Sequence, residues 1–537
     1  MSTQRTEKEN RTAPSSTPSD ARIVAFIDMG TNSIRLLLVR INPNHSCTVL
    51  TQLKQTVRLG EGEFAEHMLQ PKAMDRAVLV VQKFANLARS YGAEEIVAAA
   101  TAATREAENQ DVFVDRLWRE ARIDMRVVSG LEEARLIYLG VSSGVHLEDQ
   151  QALLIDIGGG STEIIVGSQQ QHHYLDSLKL GAIRLTLRFL PDAQGPVALS
   201  QYELIQRYVR HYAVATVRQA SKHRIDLGIG SSGTIENLAN IAMRMVCKRR
   251  LQRGDVLSHA HLKQTVEMLC SLPLEARRKV PGLNPERADI IVPGAAILDT
   301  LMDELKLPEI RITDRGLRDG LLVDYLLKKG HAPLLADMSV RERSILQLGR
   351  TCNFDEAHGR TAAHLALALF DSARSVRLHS LGNWERELLK YAALLHDIGG
   401  FLTYNNHQAH TYYLIRNADL LGFDQTEVAI IASTAFYHRK ALPRKKHPQF
   451  AALDKRSRKI VLVLCVLLRI AENLDRSHAA LVRHARLCAA DKKQITLQID
   501  TGHDCQVEIW GLQNHLDAFE KVFGRKLKIE VAKPEDA

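Results

Sequence analysis

The sequence predicts two α/β lobes followed by a helical domain and a small α+β segment. Three observations predict it. An Asp-Φ-Gly strand–turn–strand occurs twice, at 23–41 and at 153–167. Strand-like and helix-like stretches alternate up to residue 330, the pattern of a layered α/β architecture. After Lys329 the chain turns rich in Ala, Leu, His and Arg at helical spacing. The boundaries expected from these shifts are a polar tail at 1–21, lobe I at 22–140, lobe II at 141–330, a helical domain at 341–482 and an α+β domain at 483–537.

Each element has a local reason. IVAFIDMGTNSIRLLLVRI (23–41) reads as two apolar strands joined by a tight polar turn. Residues 72–92 carry helical periodicity, 95–100 resemble a buried strand, 111–122 a helix and 125–129 a strand. GLEEARLIYLGVSSGV then opens a helix after Gly130. The second hairpin, LLIDIGGGSTEIIVG, lies over the first without a gap. Asp28 falls on Asp156, Gly30 on Gly158, Ser33 on Ser161 and Arg35 on Glu163. LGIGSSGTIENLANI and ITDRGLRDGLLVDYL continue lobe II. At the carboxy end, 494–499, 505–510, 516–523 and 527–531 read as strand, strand, helix, strand.

Composition excludes several classes. A chain of 537 residues with 45% hydrophobic and 25% charged residues is neither mostly disordered nor fibrous. No apolar run approaches the ~20 residues of a membrane span. The longest, 460–468, is flanked by Arg458, Lys459 and Arg469 and reads as a buried helix. The first twenty residues lack an apolar signal core, so a disordered tail and a cytoplasmic location are expected. Seven scattered cysteines without a C-x-x-C pair suggest no disulfide or zinc framework. The net charge of +9 favours polyanions, whether nucleic acid, nucleotides or phosphate chains.

Three turns rich in Gly, Ser and Thr carry the chemistry. They are Gly30-Thr31-Asn32-Ser33, Gly158-Gly159-Gly160-Ser161-Thr162 and Gly230-Ser231-Ser232-Gly233-Thr234. Glycine lets backbone N–H groups close around an anion, and the hydroxyls add donors. Asp156 ends a buried strand at such a turn, and Glu163 lies on the next strand. Carboxylates beside a phosphate site suit Mg²⁺. Glu132 and Glu133 are adjacent on a helix, so at most one faces a cleft. Arg105, after TAAT, is either a surface charge or a phosphate clamp.

DMGTNSIRLLL, AAATAATREAEN, VVSGLEEARLIYLGV, LLIDIGGGSTEII, GIGSSGTIENLA and ITDRGLRDGLL occur in that order. Together they resemble the exopolyphosphatase / guanosine-pentaphosphate phosphohydrolase family, over roughly residues 22–330. The resemblance implies the two-lobed, ribonuclease-H-like fold of the actin–acetate kinase–hexokinase superfamily. It implies Glu133 as the base acting on water and Arg105 as a clamp. It implies Thr31, Asn32, Ser33, Gly158, Gly159, Gly160 and Ser161 around the reacting phosphate, and Mg²⁺ or Mn²⁺ on Asp156 and Glu163. Ser232, Gly233 and Thr234 would bind either further phosphates or a nucleotide.

In the helical part, His358, His396-Asp397, His407, His438 and Asp475 follow the order of the HD superfamily of metal phosphohydrolases. That resemblance implies that these six side chains converge on a further transition-metal site. The basic stretch 439–459 is either a solvated face or a track for a long anion. Its few aromatics argue against nucleic acid as a partner. The leading expectation is an exopolyphosphatase acting on inorganic polyphosphate, with a homodimer as the assembly. Guanosine pentaphosphate is the alternative substrate. A non-hydrolytic nucleotide-binding regulator is the second alternative, and Glu133 weighs against it.

Overall fold

The structure, a computed structural model, describes residues 21–44, 46–191, 193–329, 338–439, 441–489 and 493–531. The expected disordered tail lies outside them, apart from Ala21.

Lobe I is built on five strands: β1 (Arg22–Met29), β2 (Ser33–Ile41), β3 (Cys47–Thr56), β4 (Glu95–Ala100) and β5 (Met125–Val127). Their order is β3-β2-β1-β4-β5; β1, β2 and β3 pair antiparallel, and β4 and β5 add in parallel. Lobe II repeats this with β6 (Ala152–Ile157), β7 (Thr162–Gly167), β8 (His172–Leu178), β9 (Leu227–Ser231), β10 (Val256–Ser258) and β11 (Glu309–Ile312). The order is β10-β11-β9-β6-β7-β8, with β6, β7 and β8 antiparallel and β9 parallel to β6. The internal repeat is thus a repeat of sheet topology, not only of two hairpins.

Each sheet has an apolar layer of its own on the outer face. Between the sheets lies a shared core made by Val24, Phe26, Leu154, Ile165 and two helices, Gly130–Ser142 and Leu317–Lys328. The second of these belongs to lobe II by sequence position. It nonetheless packs on the first helix and on β1 and β2 of lobe I. Two glycines permit the approach. A Cβ on Gly140 would stand 2.2 Å from the Gly316 carbonyl oxygen, and one on Gly320 only 1.8 Å from that of Leu136. Either is an impossible contact, so the helices touch backbone to backbone.

The carboxy half is a helical assembly, including Glu356–Ser375, Asn383–Leu395, His407–Asn417, Gln425–Phe436 and Lys455–Asn473. The run 460–468 is the buried centre of the last of these. The final segment is not a separate unit. Its sheet of β12 (Val482–Ala489), β13 (Gln494–Thr501) and β14 (Lys526–Val531) shares one apolar core with the helices, through Leu487, Ile495, Leu497 and Phe519. Of residues 505–510, read as a strand, Cys505 caps and the rest open the Gln506–Gln513 helix, and β12 was not expected. Short apolar runs fit either period. Here Glu508 is buried and accepts a hydrogen bond from the Ser477 N–H, and the helix docks on Lys455–Asn473. No helix of the described residues is long and apolar enough to cross a membrane.

Candidate active site

The two hairpin turns meet tip to tip. A Cβ on Gly159 would lie 3.0 Å from Thr31 Cβ, and one on Gly160 would lie 2.9 Å from Thr31 Oγ1. Glycine is therefore required here by close approach of the opposite turn. Around this junction opens a cleft lined by Asp28, Gly30 to Ser33, Arg35, Thr101, Glu133, Asp156, Gly158 to Ser161, Ser232, Gly233, Glu236, Arg287 and Arg315. Most of the expected phosphate-binding residues thus share one wall system. Thr234 does not reach the surface. It lies beneath Gly233, with its Oγ1 3.4 Å from Arg287 Nη1.

Strand register aims the carboxylates. Asp28 and Arg35 are direct partners across β1 and β2, and Asp156 and Glu163 are direct partners across β6 and β7. Directly opposed residues of an antiparallel pair point to the same face. Asp156 lines the cleft and accepts a hydrogen bond from Ser231 Oγ. Glu163 lies deeper, outside the cleft lining, and accepts from Ser177 Oγ at 2.8 Å. Ser232 holds a φ of 75° while its Oγ donates to the Ile157 carbonyl, a strained backbone kept by that tether.

The two adjacent glutamates diverge as helix geometry requires. Glu133 is buried at the cleft, and Arg105 Nη1 donates to its Oε2 at 2.9 Å. Glu132 instead pairs with Arg135 at 2.7 Å, half-exposed. Arg105 is not part of the cleft lining; its Nη1 also donates to the Val128 carbonyl. The expected clamp is thus committed to holding Glu133.

Burial pushes the Glu133 carboxyl up to about 7, with Arg105 offsetting part of the effect and Asp156 and Asp28 adding to it. Burial also raises Asp156, against the Ser231 hydrogen bond and Arg35. It raises Glu163 well above the carboxylate range, reinforced by Glu133 and Asp156. Three mutually repelling buried carboxyls fit a divalent cation, which would restore all three to the ionised form. Asn32 Oδ1, buried and without a hydrogen-bond donor among the protein groups, faces the same problem of satisfaction.

Sequence reasoning missed Arg287, Arg315 and Glu236 as cleft residues. Arg287 is held beside Gly233, where a Cβ would stand 2.7 Å from its Nη2. It comes from a single 3-10 turn, Pro285–Arg287, that carries no motif. Asp28 and Arg35 could have been found, because the repeat lays them over Asp156 and Glu163.

In the helical domain His358, His396, His407 and His438 converge with Asp397. Asp475 stands behind them. Its Oδ2 accepts from His358 Nδ1 at 2.8 Å and its Oδ1 from the Ala480 N–H at 2.8 Å. The expectation that all six meet at one point is corrected for Asp475, because both its oxygens are already engaged. His478, which was not expected, stacks on His358 at 3.7 Å between ring centroids. The basic side chains Arg444, Lys445, Lys446, Lys455 and Arg456 are exposed, as a solvated face would be.

Two lobes of one topology that close glycine turns, hydroxyls and buried carboxylates around a cleft define a two-lobed α/β protein with a site suited to phosphoryl groups. Sequence comparison makes this specific. The model of the Ppx/GppA phosphatase family matches residues 37–329, and that of Ppx/GppA phosphatase domain III matches residues 340–515. The chain belongs to the Ppx/GppA phosphatase family, and is a phosphoanhydride hydrolase. Among solved structures it is similar to an exopolyphosphatase from Cytophaga hutchinsonii, with 28% identity and a TM-score of 0.54 over 57% of this chain and 98% of that one. It is also similar to an exopolyphosphatase-like protein, with 27% identity and a TM-score of 0.52 over 57% and 98%. A Ppx/GppA family member from Aquifex aeolicus matches at 26% identity and a TM-score of 0.49 over 58% and 99%.

Proposed function

We propose that the cleft removes terminal orthophosphate from inorganic polyphosphate. The observation that carries this is the chemistry of the lining. Hydroxyls, backbone turns, carboxylates and the guanidiniums of Arg35, Arg287 and Arg315 surround the cleft, Ile137 and Leu317 are its large apolar residues, and none of its lining residues is aromatic. Such a wall grips phosphates and offers no ring for a guanine base to stack on. It therefore favours a phosphate chain over guanosine pentaphosphate, and over a nucleotide-binding regulator.

Phosphoryl transfer needs positioning and charge neutralisation more than covalent chemistry. Glu133, with a carboxyl near neutrality, takes the proton of the attacking water. Arg105 is a positioning residue that fixes the Glu133 carboxylate through Oε2. N–H groups of the 158–161 turn, with Asn32, Ser33 and Thr31, cradle the reacting phosphate, and Arg35 and Arg287 take over the clamping expected of Arg105. Asp156 and Glu163 would hold Mg²⁺ or Mn²⁺, which supplies neutralisation of phosphate oxygens.

The test is phosphate release from long-chain polyphosphate and from guanosine pentaphosphate under one set of conditions. A kcat/KM at least about tenfold higher for polyphosphate is expected, the loss one missing stacking contact of 1–3 kcal/mol allows. A preference for the guanosine substrate would overturn the assignment.

A further inference from the structure

On the reading of Arg287 as a phosphate clamp, we propose that Arg58 is a positioning residue of the same cleft. It acts as a strut from lobe I to lobe II and sets the distance between the turn at Asn32 and Arg287. The strut begins in the run Val57-Arg58-Leu59-Gly60, which follows β3. Val57 and Leu59 are buried in the lobe I core, while Arg58 between them is part-exposed. The N–H groups of Val57 and Arg58 both donate to the Asn32 carbonyl at 3.0 Å, and that of Gly60 donates to the Thr31 carbonyl at 3.0 Å. Arg58 holds a φ of 50° in doing so. A residue with a Cβ adopts that left-handed backbone at a cost, and such strain gathers at functional sites.

The side chain crosses to the other lobe. Nη1 donates to Asp289 Oδ2 at 2.7 Å and Nη2 to Asp289 Oδ1 at 3.0 Å, while Nη2 also donates to the Glu286 carbonyl at 2.8 Å. Thr56, the last residue of β3, donates from its Oγ1 to Glu286 Oε2 at 2.6 Å. Glu286 and Asp289 bracket Arg287 in the chain. A two-pronged guanidinium–carboxylate pair fixes orientation as well as distance. Within lobe II the Asn284 N–H donates to Asn237 Oδ1 at 2.7 Å, so the Pro285–Arg287 turn is tied to both lobes.

Arg287 has little else to aim it. It is only 7% exposed, and among the described residues its guanidinium forms no ion pair. Thr234 Oγ1 stands 3.4 Å from its Nη1, a long hydrogen bond. A buried cation without a counter-charge favours an anion. Asn32 and Arg287, the two groups that the strut joins, line the cleft, and neither Arg58 nor Asp289 does. Arg58 therefore acts through Arg287 and not on the substrate itself.

The experiment is phosphate release from long-chain polyphosphate by the full-length protein, by Arg58→Gln, Arg58→Lys, Asp289→Asn and Arg287→Gln, and by the double variant Arg58→Gln/Arg287→Gln. Arg287→Gln should raise KM about 10–100-fold, as for a lost charge-assisted hydrogen bond. Arg58→Gln and Asp289→Asn should each raise KM roughly 5–20-fold, within the coupling range of residues in contact, and keep kcat within about twofold. Arg58→Lys retains the charge and loses the fork, so it should follow Arg58→Gln. In the double variant the Arg58 change should add less than about twofold to Arg287→Gln, because nothing remains to be positioned. Asp289→Asn is nearly isosteric and breaks the pair from the far side, so it keeps the test valid if an Arg58 variant fails to fold. KM unmoved in Arg58→Gln and Asp289→Asn, while Arg287→Gln raises it, would overturn the strut and leave the clamp standing. KM unmoved in Arg287→Gln would overturn the clamp, and the strut with it. Full multiplication of the two effects in the double variant, or an unaltered KM in Arg58→Lys, would overturn the strut alone.

Discussion

The two hairpins occupy the same place in their lobes and differ in the second residue of the pair. In lobe I Asp28 faces Arg35, and in lobe II Asp156 faces Glu163. The first pair compensates its own charge, since Arg35 opposes the rise that burial imposes on Asp28. The second is two carboxyls, and Glu133 adds a third against it. One register thus delivers a fixed cation on one side of the cleft and, on the other, a group of buried carboxyls whose burial outweighs the arginines beside them. In the function proposed above, a bound phosphate would sit with the former and a divalent cation with the latter.

The largest break in this comparison should come from Glu133, the carboxyl that lobe I sets against the lobe II pair. Glu133→Gln is expected to lower turnover about 10²–10⁴-fold, the usual contribution of a general base. Phosphate release by a folded variant near the unaltered rate would remove Glu133 from that role. Next in size is the exchange of lobe II's pair. Asp156→Asn with Glu163→Gln should abolish the rise in Tm that Mg²⁺ gives the unaltered protein, and with it the Mg²⁺ response of activity. An undiminished response would place the cation elsewhere. Arg35→Gln, the matching change in lobe I, should instead raise KM about 10–100-fold, as for a lost charge-assisted hydrogen bond, and leave the Mg²⁺ response in place.

A pH series sharpens the same contrast. A base must be ionised, so kcat/KM should climb as pH rises through about 7, the value to which burial pushes Glu133. The sign for stability is opposite. The folded-state value lies above that of the unfolded chain. The contribution is therefore full at pH below the usual carboxylate range and is lost as pH rises through about 7. Glu133→Gln should flatten that loss in metal-free protein, and an unchanged slope would count against a carboxyl whose burial outweighs its pairing with Arg105. The smallest effect is reserved for the neighbour. Glu132→Ala removes part-exposed pairs with Arg135 and Arg126 and should stay within about twofold in turnover.

The parts of this site legible in the sequence are those set by local geometry. The glycine turns, Asp156 and Glu133 lie within or beside hairpins and a helix start, where a few residues decide direction. Arg287 could not be read, because it reaches the cleft only through the packing of a 3-10 turn under Gly233. The crossing of Leu317–Lys328 back onto lobe I was hidden for the same reason: its apolar stripe says that it is buried, not on which sheet. In the helical domain the resemblance pointed to four histidines, Asp397 and Asp475; Asp475 binds the back of His358 instead of facing the cluster, and His478, which the resemblance did not include, stacks on that ring. The bend of the chain after Asn473 buries Asp475 behind His358 and leaves the exposed His478, at a φ of 56°, stacked on the same ring.

Gly140 and Gly320 act as a shim of no thickness between the helices that carry the lobes. Gly140 stands seven residues beyond Glu133 on one rigid rod, about two turns along. Any side chain at the crossing would lever the Gly130–Ser142 helix away from its neighbour and tip its far end. The carboxylate's aim is therefore set by an alignment tolerance of less than one methyl group, held at a helix crossing rather than at the carboxylate itself.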